Sequence, residues 1–212
     1  MQTKILPFNA LSATQLTEVA HALEQGAVAV LATDTVYGLA TGAFCESAIQ
    51  HIYALKERPA HMPLQLLVAS AAAALQVSQM SEPVHQVATT FWPGGLTLIL
   101  PPSPAGQPLL RGFSGLGIRV PAHPNLQALL QQLKMPLACT SANVHGQPVL
   151  TQEKEVISQF DGRVDFIITD GTLSPTASTV LDATVTPPRV LRVGTISKEE
   201  LARVYQGPLG TL

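Results

Sequence analysis

The sequence predicts an α/β fold, and three observations predict it. Short apolar runs rich in valine, isoleucine and leucine recur along the whole chain, with the length of buried strands. Between them lie amphipathic stretches that open on capping residues and close on glycine or proline, as helices do. Third, 46% of the 212 residues are hydrophobic and 5% aromatic, enough for an aliphatic core that needs no disulfide or metal staple. No internal repeat, long linker or low-complexity tract divides the chain. One domain over residues 1–212, with about seven strands, is the expectation.

Ser12-Ala13-Thr14-Gln15 has capping-box form, and Leu16, Val19, Ala20 and Leu23 follow at helical spacing. Gly26 is a natural stop, so residues 13–25 read as a helix. Ala27 to Ala32 reads as a buried strand that ends at the polar step Thr33-Asp34-Thr35-Val36-Tyr37-Gly38. Open α/β sheets place their ligands at such strand ends. Glu46 to Leu55 is a second helix, with Ala48, Ile49, Ile52 and Leu55 on one face. Lys56 and Arg58 sit at or just past its end, and Pro59 stops it. Leu64 to Ala69 is a strand, and Ser70 caps a third helix in the alanine run.

Pro83 to Phe91 reads as helix, stopped by Trp92-Pro93-Gly94-Gly95, and Leu96 to Leu100 as strand. Residues 103–115, rich in Pro, Gly and Ser with Arg111 in the middle, read as a loop and a candidate lid. Gly117 to Pro121 is a brief strand carrying Arg119, and Asn125 to Leu133 is a helix. Pro136 to Cys139 is a strand opening into Thr140-Ser141-Ala142-Asn143, the same arrangement of hydroxyls and amide at a strand end as before. Lys154 to Phe160 reads as helix and Phe166 to Thr169 as strand, with Asp170-Gly171 as a turn. Ser178 to Asp182 and Val190 to Gly194 are strands, and Ser197 caps a last helix with Glu199 and Glu200 in its first turn.

Composition narrows the function. A net charge of −2 excludes a broadly basic nucleic-acid binder but leaves room for a local basic pocket. No apolar run reaches the roughly 20 residues that cross a bilayer, and the N-terminus lacks the pattern of a signal peptide. A cytoplasmic protein without membrane contact is therefore expected. Cys45 and Cys139 share no short spacing and read as buried thiols. The chain holds no Walker-type glycine loop and no G-x-G-x-x-G, and its six histidines make no metal-ligand pair at helical spacing. Gly112-Phe113-Ser114-Gly115 does not match the nucleophile elbow G-x-S-x-G. Neither a metal held by protein side chains nor a prosthetic group is expected.

Against that background the pair Lys56 and Arg58 stands out, because 12% of residues are charged, where an average domain has roughly a quarter. Cations at a helix end can serve the helix dipole. They can also bind an anion, and with Arg119 and Arg192, carried on other strands, they join a set of strand ends that present hydroxyls and an amide. Arginine's fork suits carboxylate or phosphate, and lysine is a point charge against phosphate. Such a mix fits a substrate with several negative charges, for example a nucleoside triphosphate together with a carboxylate.

Seven segments carry a resemblance. They are Thr33-Asp34-Thr35-Val36-Tyr37-Gly38-Leu39, Lys56-Glu57-Arg58-Pro59, Trp92-Pro93-Gly94-Gly95-Leu96-Thr97 and Ile118-Arg119-Val120-Pro121. Ser141-Ala142-Asn143 with Gly146 and Pro148, Ser178-Thr179-Val180-Leu181-Asp182 and Leu191-Arg192-Val193-Gly194 complete the set. In this order, across roughly residues 15–197, they resemble the YrdC/TsaC family, the threonylcarbamoyl-AMP synthases, in its short single-domain form.

The resemblance implies a twisted, open sheet of mixed parallel and antiparallel strands, with helices on its faces and a concave basic pocket. It implies no additional C-terminal domain. It implies a nucleotidyltransferase reaction in which L-threonine, bicarbonate or CO2, and ATP with its Mg2+ give threonylcarbamoyl-AMP and pyrophosphate. The product would serve tRNA threonylcarbamoyladenosine modification, passing to TsaD with TsaB and TsaE. Weak contact with tRNA or double-stranded RNA and a monomer or homodimer complete that picture. By position, Lys56, Arg58, Ser141 and Asn143 match the catalytic constellation around the ATP phosphates, and Thr140 and Arg192 join the ATP set. Thr35, Arg119 and Ser178 match positions that hold L-threonine, with Arg119 on its carboxylate.

The chain departs from the family pattern at Ala32, where proline is usual, and at Glu57, where glycine or another small or neutral residue is common. It departs also at Met62, Leu67 and Pro175, where asparagine, histidine and glycine occur. Two other functions fit parts of the pattern: a double-stranded-RNA or tRNA-binding module, and a related carbamoyl-adenylate enzyme with another substrate. The first is at odds with twelve cations and a net charge of −2, since shape readers of RNA rest on many phosphate contacts.

Overall fold

A computed structural model describes residues 2–57, 62–174 and 176–211. In chain order the elements are β1 (Lys4–Pro7), α1 (Ala13–Glu24), β2 (Ala29–Leu31), β3 (Gly38–Gly42), α2 (Glu46–Leu55) and β4 (Gln65–Leu67). Next come α3 (Ala71–Val77), α4 (Glu82–Phe91), β5 (Leu96–Leu100), β6 (Leu116–Arg119), α5 (Pro124–Leu130) and β7 (Leu137–Ser141). The last are α6 (Glu153–Phe160), β8 (Phe166–Thr169), β9 (Thr179–Asp182), β10 (Arg189–Arg192), α7 (Lys198–Tyr205) and β11 (Gly210–Thr211). Short 3-10 turns cover Phe8–Ala10 and Pro104–Leu109.

The chain packs as two compact units, residues 1–64 with 123–175 and residues 65–122 with 176–212. In the first, the strand order is β1-β8-β2-β3-β7. β1, β8 and β2 run parallel, while β3 is antiparallel to both β2 and β7. Val30, Leu31, Leu39, Ile49, Ile52, Phe160 and Ile167 are completely buried. Each such side chain contributes about 1.5–3 kcal/mol through burial. α1 starts as its sequence dictates: Ser12 and Gln15 form the reciprocal cap, and Val19, Ala20 and Leu23 turn inward. α2 buries Ala48, Ile49, Ile52, Tyr53 and Leu55, one apolar stripe.

The second unit has the order β4-β6-β5-β9-β10-β11. β4 and β6, β5 and β9, and β10 and β11 pair parallel; β6 with β5 and β9 with β10 pair antiparallel. Alternation puts Leu96, Leu98 and Leu100, all fully buried, on one face of β5 and Thr97 on the other. Helices α4 and α7 pack together in this unit. In both units parallel and antiparallel strands mix, as the family resemblance implied.

Several local expectations need correction. Eleven strands occur among the described residues, more than the seven or so read from sequence. β3 was missed because Gly-Leu-Ala-Thr-Gly has weak strand propensity. Small residues are needed there: a Cβ at Gly38 would lie 2.7 Å from the sulfur of Cys139 on β7. β1 and β11 are short strands at the ends of the pairing order, formed by pairing rather than by an apolar run. The stretch 103–115 is not all loop, because Ser103 caps the 3-10 turn Pro104–Leu109, which packs against α3 with Leu109 buried. α5 begins at Pro124 and ends at Leu130, short of Leu133, and a histidine caps it. Among the described residues, no helix is long and apolar enough to cross a membrane.

Candidate functional site

In the first unit, the turn after β2 is built by Thr33. Its hydroxyl donates to the Val36 carbonyl at 2.6 Å and accepts from the amides of Thr35 and Val36 at 3.1 and 3.2 Å. Thr35, expected in the threonine set, is 4% exposed, and its hydroxyl lies 3.0 Å from that of Thr33. Tyr37 anchors the turn. Its ring is fully buried, its hydroxyl donates to the Gly171 carbonyl at 2.7 Å, and it accepts from the Asp170 amide at 3.1 Å. Burial pushes the Tyr37 phenol up, opposed by the Asp170 N–H, with the charges of Glu153 and Asp170 adding to the rise.

Asp170 also takes a 2.9 Å hydrogen bond from Nε2 of buried His123, whose Nδ1 accepts the Leu126 amide at the start of α5. A ring nitrogen that accepts a backbone N–H carries no proton, so Nε2 carries it and donates.

Lys56 is the last residue of the α2 cap, 2% exposed. Its ammonium donates to the backbone carbonyls of Ser141 and Asn143 and, at 3.1 Å, to Oδ1 of Asn143. Ser141 Oγ donates to the same Oδ1 at 2.6 Å. The Asn143 amide nitrogen donates to the carbonyls of Val144 and Gln147 at 3.1 and 2.7 Å, and the His145 amide returns to the Lys56 carbonyl at 2.8 Å. Lys56, Ser141 and Asn143 are thus one closed knot, with the half-buried Ser141 hydroxyl at its margin. Thr140 is buried one residue earlier on β7. Glu57 is exposed and takes a left-handed conformation, φ 51°. Arg58 lies outside the described residues.

In the second unit, the Trp92-Pro93-Gly94-Gly95 turn holds Arg119. Gly94 donates its amide to the Val120 carbonyl at 2.8 Å and accepts Nε of Arg119 at 2.9 Å. Arg119 is 2% exposed. Arg192 grips Ser178 twice, Nε to its carbonyl at 3.0 Å and Nη2 to its hydroxyl at 3.1 Å. That hydroxyl is 2.9 Å from Thr97 Oγ1, which donates to Gln65 Oε1 at 3.3 Å. Burial, and after it the charge of Arg119, lower the pKa of the Arg192 guanidinium. Among the described residues, no group of three or more His, Cys, Asp or Glu could hold a metal ion.

The sequence-derived residues therefore fall into two sets: Lys56, Ser141, Asn143, Thr140 and Thr35 in the first unit, and Arg119, Ser178 and Arg192 in the second. Ser178 and Arg192, expected on different substrates, are hydrogen-bonded to each other. Thr33, Tyr37, His123, Asp170, Gln65 and Thr97 were not singled out as site residues. Only the position of Thr33, Tyr37 and Thr97 inside the quoted motifs could have pointed to them.

A family model described as "Telomere recombination", for Sua5, YciO and YrdC proteins, matches residues 21–194. A threonylcarbamoyl-AMP synthase of Pyrococcus abyssi is 35% identical over 185 residues, 86% of this chain and 54% of that protein. One of Bacillus subtilis is 36% identical over 205 residues, covering 92% of this chain and 57% of the relative. The chain thus spans a little over half the length of these relatives. The crystal structure of P. abyssi Sua5 complexed with L-threonine superposes with a TM-score of 0.86 at 32% identity, over 96% of this chain and 61% of that one.

Proposed function

Because the chain belongs to the Sua5/YciO/YrdC family, we propose that it is a threonylcarbamoyl-AMP synthase, a nucleotidyltransferase acting on L-threonine, CO2 or bicarbonate, and ATP. The observation that carries this reading is the second unit's grouping of buried Arg119, exposed Arg192 and the buried Ser178 hydroxyl that Arg192 holds, guanidiniums and a hydroxyl that suit an amino-acid carboxylate or a phosphate. Relatives named for this activity, and a Sua5 structure with L-threonine bound, support it.

In this reading the amine nitrogen of threonine attacks the carbon of CO2 and loses a proton, giving a carbamate. A carbamate oxygen then attacks the α-phosphorus of ATP, and the bond from that phosphorus to the pyrophosphate oxygen breaks. No bond to the protein forms. Arg119 takes the threonine carboxylate, and Ser178 and Thr35 take its remaining polar groups. Lys56 and Arg58 supply charge against the phosphates, with Ser141, Asn143, Thr140 and Arg192 completing the nucleotide contacts. The knot around Lys56 keeps that charge in place before substrate arrives, which is how preorganised electrostatics lower a barrier. Any Mg2+ is the companion of ATP. The product serves tRNA modification through TsaD with TsaB and TsaE, and the protein works in the cytoplasm as a monomer or homodimer.

The test is pyrophosphate release from ATP and bicarbonate with a panel of amino acids. Release that needs both threonine and bicarbonate is expected. Release without an amino acid, or none at all, refutes the proposal.

A further inference from the structure

A row of polar side chains crosses the sheet of the second unit: Gln65 on β4, Thr97 on β5, Ser178 at the entrance to β9 and Arg192 on β10. β6 lies between β4 and β5 and contributes Gly117 beside Gln65. A Cβ at Gly117 would lie 3.8 Å from Thr97 Cγ2 and 4.0 Å from Gln65 Cβ, so a longer side chain would stand between the two. Glycine leaves the gap through which Gln65 reaches Thr97.

The row has a direction. Gln65 meets Thr97 with its carbonyl oxygen, which can only accept, so the single proton of the Thr97 hydroxyl goes to Gln65. The 2.9 Å contact between Thr97 and Ser178 then requires Ser178 to donate. Arg192, which can only donate, gives a proton to Ser178 Oγ. Each hydroxyl has one proton and two lone pairs. Ser178 has committed its proton to Thr97 and one lone pair to Arg192. One lone pair remains.

We propose that Gln65 and Thr97 are positioning residues that fix Ser178 as a hydrogen-bond acceptor toward bound L-threonine and hold Arg192 beside it. The ligand class follows: an amino acid whose carboxylate meets arginine and whose N–H or O–H donor meets Ser178. With a donor in place of the Gln65 oxygen the row would reverse, and Ser178 would present a proton instead. This inference rests on the function proposed above.

Three variants test it: Thr97→Val, which keeps shape and deletes the hydroxyl; Thr97→Ser, which keeps the hydroxyl; and Gln65→Leu, which removes the acceptor. The threonine KM rises about tenfold in Thr97→Val and Gln65→Leu, the effect of one lost ligand hydrogen bond. Under the same reasoning kcat changes less than about twofold, and Thr97→Ser stays within about twofold of the parent protein on both constants. A second readout needs no substrate. Solvent exchange of the Arg192 Nη2 protons, which are bonded to the Ser178 hydroxyl, followed by NMR, accelerates several-fold in Thr97→Val and Gln65→Leu and not in Thr97→Ser. An unchanged threonine KM in Thr97→Val, an equal loss in Thr97→Ser, or an unchanged Arg192 signal overturns the inference. If the parent protein makes no threonylcarbamoyl-AMP, the functional proposal falls, and the Arg192 signal alone decides whether the row positions that arginine.

Discussion

Glu57 stands between the two cations of the Lys56-x-Arg58 pair, in a left-handed conformation at φ 51° directly after the α2 cap residue. That is the position where helices favour glycine. Its amide still closes the helix, donating to the Ala54 carbonyl at 3.1 Å, and the side chain is exposed. The left-handed region costs an L-residue about 1–2 kcal/mol, and glycine about nothing. Glycine also widens the freedom of the unfolded chain, which takes back about 0.4–1 kcal/mol. Glu57→Gly should therefore stabilise the protein by about 0.5–1 kcal/mol. With a urea m-value of about 2–3 kcal/mol/M, the midpoint should rise by roughly 0.2–0.5 M. Glu57→Ala is the control: it deletes the carboxylate and keeps the Cβ, so its midpoint should stay within about 0.1 M of the parent. Turnover of the glycine variant should stay within about twofold, since the mechanism proposed above gives the exposed carboxylate no step. A lower midpoint in Glu57→Gly refutes the backbone account. An equal rise in Glu57→Ala assigns the effect to charge instead.

Other perturbations have equally definite outcomes. Lys56→Ala strips three hydrogen bonds from the Ser141–Asn143 knot, so it should cost about 2–4 kcal/mol of stability as well as turnover. A variant inactive at full stability would confine Lys56 to ligand contact. Tyr37→Phe leaves the Gly171 carbonyl and the Asp170 amide without their buried partner and should lower stability by about 1–3 kcal/mol in denaturant titration; no change would show that water replaces the hydroxyl. Glu200 is held below its ordinary value of 4.5 by the Ser197 side chain and then by the Ser197 backbone. A depressed carboxylate stabilises the fold above the unfolded value, and that stability is lost as pH falls through the folded one. The gap in denaturation midpoint between the parent and Glu200→Gln should thus be present at neutral pH and close well below 4.5. A gap that does not vary with pH would rule out the ionised carboxylate as its origin, since glutamine can complete the same capping box.

Local signals were legible where local physics governs. α2 runs from Glu46 to Leu55 and β5 from Leu96 to Leu100, as periodicity and the flanking prolines indicate. Ser12 and Ser197 cap their helices because a hydroxyl three residues before an amide suffices. β3 escaped notice because its small residues answer to neighbours on β7, and the 3-10 turn after Ser103 because it leans on α3. At the site, the residue types were legible: cations, hydroxyls and an amide at strand ends imply anion chemistry wherever they fold.

Sequence by itself determined the α/β class, the helix caps and the order of the motifs. Those follow from periodicity and side-chain chemistry, which act over one or two turns of chain. Tertiary structure alone decided which groups meet. Lys56 reaches Ser141 and Asn143 across more than eighty residues of chain, and Thr97 bridges Gln65 and Ser178 across two strands that are not its sequence neighbours. It also decided the direction in which Ser178's proton points. A hydrogen bond's polarity depends on every partner in the row, and strand order, not sequence order, assembles the row.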